Sequence, residues 1–220
     1  VNGIQQLKQI SSELDVILLD DAYQHRKVEG GFNILLTSYN NLYVDDTMLP
    51  TGNLREKISG AERAKAIIVT KCPFNLNEEE QFKIAQRLNP TLYQTVFFTT
   101  IEYDVEIQGS SKIKLDDLSN YEVLLVTGIA NPTPLTNFLK EKKVIFEHLK
   151  YTDHYFFTES DIVNIELKYN QLKSKRKIIL TTEKDYVRIF DKFEKLHYIP
   201  IKTKFINHKT DFDNLILNYV

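Results

Sequence analysis

Val123-Leu124-Leu125-Val126-Thr127-Gly128-Ile129-Ala130-Asn131-Pro132 reads as a β-strand that runs without polar interruption into a glycine-bearing loop and stops at a helix start. A strand with no polar alternation is apolar on both faces, so it belongs in a sheet covered on either side. Similar blocks stand at residues 16–19, 32–36, 66–69, 96–98 and 178–180. Between them, helical patterns run over 4–14, 77–88, 134–142, 158–172 and 184–193. Asn77 ahead of Glu78-Glu79-Glu80 is an N-cap followed by acids suited to the positive helix end. Thr158-Glu159-Ser160-Asp161 reads as a capping box with Asp in place of Glu. Strand and helix alternate, which predicts an α/β fold with a mainly parallel sheet flanked by helices. The polar stretch Gln108-Gly109-Ser110-Ser111-Lys112 is the expected boundary, dividing the chain into parts 1–107 and 113–220.

Composition narrows the function. The 220 residues carry 28 Lys+Arg against 30 Asp+Glu, and a net charge of −2 removes the electrostatic basis for non-specific nucleic-acid binding. Apolar runs such as Val16-Ile17-Leu18-Leu19 are four residues long, far below the ~20 that span a bilayer. Only 7 glycines occur and none precedes Lys, so these residues hold no G-x-x-x-x-G-K-S/T phosphate loop. The lone Cys72 offers neither a disulfide framework nor metal-ligand spacing. The chain opens at Val1, and Val-Asn-Gly-Ile-Gln-Gln-Leu enters a helix without a capped start, so a preceding N-terminal part is expected.

Several segments carry candidate chemistry. In Asp15-Val16-Ile17-Leu18-Leu19-Asp20-Asp21 an expected parallel strand ends in consecutive acids, where open α/β sheets place ligands. Two such carboxylates repel unless a cation, typically Mg²⁺ carrying phosphates, neutralises them; a turn cap beside a solvated acid fits the pattern equally. Gln24 and His25 follow within one turn of chain. Leu49-Pro50-Thr51-Gly52-Asn53-Leu54-Arg55-Glu56 is a Pro/Gly loop ending in an Arg and Glu that suit phosphate and metal, or a plain surface ion pair. Tyr151-Thr152-Asp153-His154-Tyr155-Phe156 sets a carboxylate beside an imidazole, the group best suited to proton transfer near neutral pH. Adjacent residues usually diverge, so a remote carboxylate is an alternative partner for His154, and a structural histidine in an aromatic pocket is another reading. Ile178-Ile179-Leu180-Thr181-Thr182-Glu183-Lys184-Asp185 is a further strand with a charged end, for a nucleotide or for ion pairing at the sheet edge.

Taken in order, these segments resemble the tetraacyldisaccharide 4′-kinase (lipid A 4′-kinase) family. The resemblance rests on Leu19-Asp20-Asp21-Ala22-Tyr23-Gln24-His25-Arg26, Leu49 to Glu56, Val69-Thr70-Lys71-Cys72-Pro73, Thr127 to Pro132, Asp153-His154 and Thr182-Glu183-Lys184-Asp185. It implies a P-loop-NTPase-like fold in two α/β/α parts. It implies phosphorylation of the 4′-hydroxyl of a lipid A disaccharide 1-phosphate precursor with ATP and Mg²⁺, at the cytoplasmic face of the inner membrane of a Gram-negative bacterium. By resemblance, Asp20 and Asp21 stand at the Walker B strand end and bind the metal with Glu56. Gln24, His25 and Arg55 line the nucleotide. His154 is the catalytic histidine that pairs with an aspartate to activate the attacking hydroxyl. Ala22 stands where the family commonly has Gly, and Tyr155 where many members have a second His. The family's phosphate loop, its catalytic aspartate and its membrane-docking segment precede the first motif, so this chain is expected to be the C-terminal portion. The partners implied are ATP, the lipid precursor and the membrane surface reached through that segment, with no nucleic acid. Two other classes remain open on the residues: a metal-dependent hydrolase using Asp20, Asp21, His25 and His154, and a non-catalytic α/β binding module.

Phosphoryl transfer depends on positioning and charge neutralisation, so a chain with no phosphate loop is expected to be inactive by itself. A transfer assay on the purified 220 residues with Mg·ATP checks this, and turnover above the protein-free control contradicts it.

Overall fold

The computed structural model describes residues 2–10, 14–189 and 191–220. They form two compact units, one comprising the chain up to Ile101 together with Thr203–Val220, the other Glu102–Lys202.

The first unit begins with helix α1 (Asn2–Ile10) and holds strands β1 (Ile34–Ser38), β2 (Ala66–Thr70) and β3 (Thr95–Tyr103), the last continuing past Ile101. These pair in parallel, Ile34 opposite Ala66 and Ala66 opposite Thr95. Helix α2 (Glu78–Leu88) lies between β2 and β3 in sequence, capped by Asn77, whose side chain accepts from the Glu80 amide at 2.9 Å. The fully apolar β2 has a layer on each face, as its sequence requires. Ile67 and Val69 pack with Ile84 and Leu88 of α2. Ala66 and Ile68 pack with Phe97, Phe205 and Phe212 on the other side. Phe205 belongs to β10 (Ile201–Phe205) and Phe212 to α6 (Lys209–Leu217), so the C-terminal residues complete this core. The sheet order is β1-β2-β3-β10.

The second unit contains β4 (Glu106–Gly109), β5 (Ile113–Lys114), β6 (Glu122–Thr127), α3 (Thr133–Glu141), β7 (Ile145–Lys150), α4 (Glu159–Gln171), β8 (Lys177–Thr182), α5 (Glu183–Ile189) and β9 (Leu196–Ile199). Its sheet order is β5-β4-β9-β8-β6-β7, with β6, β7, β8 and β9 mutually parallel and β4 antiparallel to β9 and β5. Alternate residues of β6 face opposite cores. Val123 and Leu125 meet Leu135 and Leu139 of α3. Leu124 and Val126 meet Ile165 of α4 and Ile189 of α5. The expected capping box closes α4: the Asp161 amide donates to Thr158 Oγ1 and the Thr158 amide to Asp161 Oδ2. The chain leaves β6 toward β7 and returns to β8 on the opposite side, so the connections after β6 and β8 diverge at their carboxyl ends, the place where open α/β sheets put their ligands.

One expected strand is corrected. Residues 16–19 form no strand, and Leu18 is 90% exposed. An apolar run becomes a buried strand only with ladder partners and covering layers, and among the described residues β1 pairs with β2 and not with this segment. The expected helix over 4–14 is α1 as far as Ile10, and residues 11–13 lie outside the described residues. That over 184–193 is α5, ending at Ile189, with residue 190 outside them. The stretch 108–112 offered as a boundary is the β4–β5 hairpin of the second unit, and the units divide after Ile101 and Lys202.

Phe97 is 2% exposed, so Phe97→Ala is expected to cost about 3–5 kcal/mol in chemical denaturation. Leu18→Ser should stay within about 0.5 kcal/mol of the parent. Comparable losses for both substitutions would contradict the placement of residues 16–19.

Candidate functional sites

In the first unit, the turn after residue 19 brings Asp20, Asp21, Gln24 and His25 to the surface, all exposed, with Asp21 in the left-handed region at φ 47°. Tyr23 points the other way and ties this turn to the segment after Glu56. Its hydroxyl donates to the Gly60 carbonyl at 2.9 Å, and burial above all pushes that phenol upward, so it stays a donor. Arg63 lies over the Tyr23 ring at 4.8 Å and donates to the Tyr23 carbonyl at 3.2 Å. The same guanidinium nitrogen meets both carboxylate oxygens of Glu56, at 2.8 and 3.0 Å. Glu56 is therefore engaged by Arg63. Among the described residues, no three His, Cys, Asp or Glu side chains converge as a metal site, so Asp20, Asp21 and Glu56 form no preassembled triad.

An open cavity of ≈ 520 Å³ lies against this cluster. Its cations are Arg26, Lys57 and Arg63, set beside Glu56 and Glu62. Arg55 stands exposed at the end of the Pro/Gly loop. Asp46, which lies outside the sequence motifs, shapes that loop. It accepts from the Thr47 and Asn53 amides at 2.7 and 3.1 Å and from Asn53 Nδ2 at 3.1 Å, bonds that hold its carboxyl below the ordinary range. Arg26 closes the first motif without a role assigned to it, and Lys57 and Arg63 lie in no motif, because an isolated Arg or Lys reads like any surface residue. Cys72 is buried and its thiol is pushed up to about 11 by desolvation, which leaves it inert.

In the second unit, charged groups gather where β6 and β8 end. Asp185 is fully buried. Its Oδ2 accepts from the Gly128 amide and from Thr182 Oγ1, each at 2.8 Å, and its Oδ1 from Arg188 Nη1 at 3.2 Å. Gly128 lets the loop backbone pass close by, since a Cβ would lie 3.1 Å from Asp185 Oδ1 and 3.4 Å from the Tyr155 Cβ, a tight fit. His154 sits in the left-handed region at φ 57°, its amide donating to the Gly128 carbonyl at 3.1 Å. Its exposed ring has Arg188 Nη2 3.3 Å from Nδ1 and Lys184 Nζ 3.1 Å from Nε2. Asp153 Oδ2 is 3.9 Å from Nε2, so the neighbouring acid is not a close partner. Two cations flanking one imidazole oppose metal ligation, which disfavours the hydrolase reading of His154.

Two other histidines of this unit are structural. His148 Nε2 meets Thr127 Oγ1 at 2.9 Å. His197 Nε2 meets Ser111 Oγ at 3.0 Å and its Nδ1 meets the Lys195 carbonyl at 3.1 Å. Burial lowers both rings' proton affinity, with Lys150 adding to the effect at His148.

Parallel strands covered on both faces, with charged loops at their carboxyl ends, define an α/β protein with mainly parallel sheets flanked by helices. The chain belongs to the tetraacyldisaccharide-1-P 4′-kinase family, whose model matches residues 1–220. It is 50% identical over 222 residues to a tetraacyldisaccharide 4′-kinase of Flavobacterium johnsoniae, with all of this chain and 63% of that protein covered. The enzymes so named from Flavobacterium psychrophilum and Bacteroides thetaiotaomicron are 46% and 37% identical, again over all of this chain and 63% of theirs. The chain thus spans about two thirds, 63%, of the length of these relatives. No helix among the described residues is long and apolar enough to cross a membrane.

His148 and His197 predict a pH dependence. A ring harder to protonate when folded lets the unfolded state bind more protons. Its contribution is complete above the unfolded value of roughly 6.5 and declines as pH falls toward the lower folded value. The second unit should therefore melt at lower temperature at acidic pH than near neutrality, and the slope should flatten in His148→Gln and His197→Gln. An unchanged slope in both variants excludes this origin.

Proposed function

We propose that this chain serves in an ATP-dependent kinase that phosphorylates the 4′-hydroxyl of a lipid A disaccharide 1-phosphate precursor, during lipopolysaccharide assembly at the cytoplasmic face of the bacterial inner membrane. The observation that carries this reading is the match of all 220 residues to one kinase family. In this reading the first unit handles nucleotide and metal. Asp20 and Asp21 offer adjacent exposed carboxylates, and Mg²⁺ commonly uses one or two carboxylates with phosphate oxygens completing its shell. When bound, the ion neutralises charge on the phosphates. Glu56 joins it only by releasing Arg63, and otherwise orients that guanidinium at the cavity. In this reading Gln24, His25 and Arg55, all exposed, donate to nucleotide oxygens, and the cavity cations Arg26, Lys57 and Arg63 add positive charge.

The second unit supplies His154. The left-handed turn lifts its ring into solvent at the carboxyl end of the sheet, where it can pass a hydrogen bond to the carboxylate that takes the hydroxyl proton. Membrane attachment and that carboxylate are assigned to the part of the relatives' length that this chain does not span.

A chimera in which this chain replaces the matching stretch of the Flavobacterium johnsoniae relative tests the reading. It is expected to transfer phosphate from Mg·ATP to tetraacyldisaccharide 1-phosphate. His154→Ala should lower kcat by about 10²–10⁴-fold, the usual range for proton-transfer groups. A folded chimera that cannot transfer phosphate, or a His154→Ala form as fast as its parent, overturns it. An unchanged rate in Asp21→Asn would favour a non-catalytic role for those acids.

A further inference from the structure

Asp185 and Arg188 have no part in the function as stated so far, yet they are the best-organised charged pair in the second unit. A carboxylate removed from water is costly unless every oxygen is met, and Asp185, fully buried, is met by Gly128, Thr182 and Arg188. Two routes lead from it to His154. Along the backbone, the Gly128 amide donates to Asp185 while the Gly128 carbonyl accepts from the His154 amide, so a single residue relays the position of the carboxylate to the His154 turn. Through side chains, Arg188 divides its fork: Nη1 goes to Asp185 Oδ1 and Nη2 to His154 Nδ1.

We propose that Asp185 is a positioning residue for His154, acting through Arg188 to fix the imidazole as its Nε2–H tautomer with that N–H turned outward. The chemistry of the donors decides the tautomer. A guanidinium cannot accept a hydrogen bond, so the ring atom facing Arg188 must be the lone-pair nitrogen, and the proton resides on Nε2. Lys184 is likewise only a donor, and a neutral ring cannot accept at both nitrogens. Arg188 prevails because it is anchored on a buried anion and only 24% exposed, whereas the Lys184 side chain is 46% exposed and also reaches Asp153 at 3.4 Å. An outward Nε2–H suits a carboxylate partner, which would meet the Lys184 ammonium at the same place. The consequence for catalysis rests on the reading of His154 given above; the tautomer does not.

Long-range ¹H–¹⁵N spectra of the imidazoles in the 220-residue chain at about pH 8, above the ordinary histidine range, report the tautomer directly. His154 is identified by the signals lost in His154→Gln. The parent should show Nε2–H. Because a free imidazole already leans that way, the decisive variant is Arg188→Gln, which leaves Lys184 as the remaining cation at the ring and should turn it to Nδ1–H. Asp185→Asn should move it in the same direction, and Lys184→Gln should keep Nε2–H. Arg188 is partly exposed, so its variant reads the effect even where Asp185→Asn disturbs folding. An Nδ1–H parent, or a tautomer unaltered by Arg188→Gln, overturns the proposal. In the chimera, Asp185→Asn should reduce kcat about tenfold or more while leaving the KM for ATP nearly unchanged, the pattern of an interaction used only in the transition state. An inert parent chimera with the expected spectra defeats the kinase reading and leaves the positioning intact. An active chimera indifferent to Asp185→Asn defeats the positioning role and leaves the kinase reading intact.

Discussion

A carboxylate sealed from water at the end of two parallel strands constrains everything around it. Asp185 can remain there only if the β6 loop delivers the Gly128 amide, β8 delivers Thr182, and α5 delivers Arg188. Meeting those demands fixes where the two strands end, why a side chain at position 128 would crowd the carboxylate, and how the His154 turn is seated on the Gly128 carbonyl. The topology supplies the place. With β6 between β7 and β8, the chain leaves in one direction and returns in the other, so the connections diverge at the strand ends.

Much of this architecture could be read from the residues alone, for a physical reason. Strands β2, β6 and β8 are buried on both faces, so their sequences are unbroken apolar runs with no competing interpretation. Helices α2 and α4 declared themselves through caps whose hydrogen bonds are formed as the residue spacing implied. Elements at the periphery were not legible. β7 mixes Glu147, His148 and Lys150 with its apolar residues because it ends the sheet, and β10 is largely exposed. Helix α6 is rich in Thr, Asp and Asn, which carry little helical preference; it is held by Phe212 and Leu215 against Phe97. The run at 16–19 misleads in the opposite sense. Its apolar residues look like a buried strand, and their burial depends on partners that the local sequence cannot supply.

The sites divide in the same way. His154 stood out as an imidazole beside an acid, but the neighbouring acid is not its close partner, and the chain of contacts runs through Gly128, Asp185 and Arg188, distant from it in sequence. A signal for that arrangement was present: Thr182 lies three residues before Asp185 and Asp185 three before Arg188, a cap-like pair followed by an i,i+3 ion pair on one short helix. Glu56 matched a metal ligand by motif, whereas its hydrogen-bonding partner is Arg63, contributed by a segment with no recognisable pattern.

In the proposed function, the exposed acids following residue 19 receive the metal that accompanies ATP. Paramagnetic broadening by Mn²⁺ in the presence of ATP, observed on the amide signals of the chimera, tests it most directly. Broadening centred on Asp20 and Asp21, spreading to Gln24 and His25 and absent when the metal is added without nucleotide, is the predicted result. Signals at residues 20–25 left sharp while another part of the chain broadens would contradict the account.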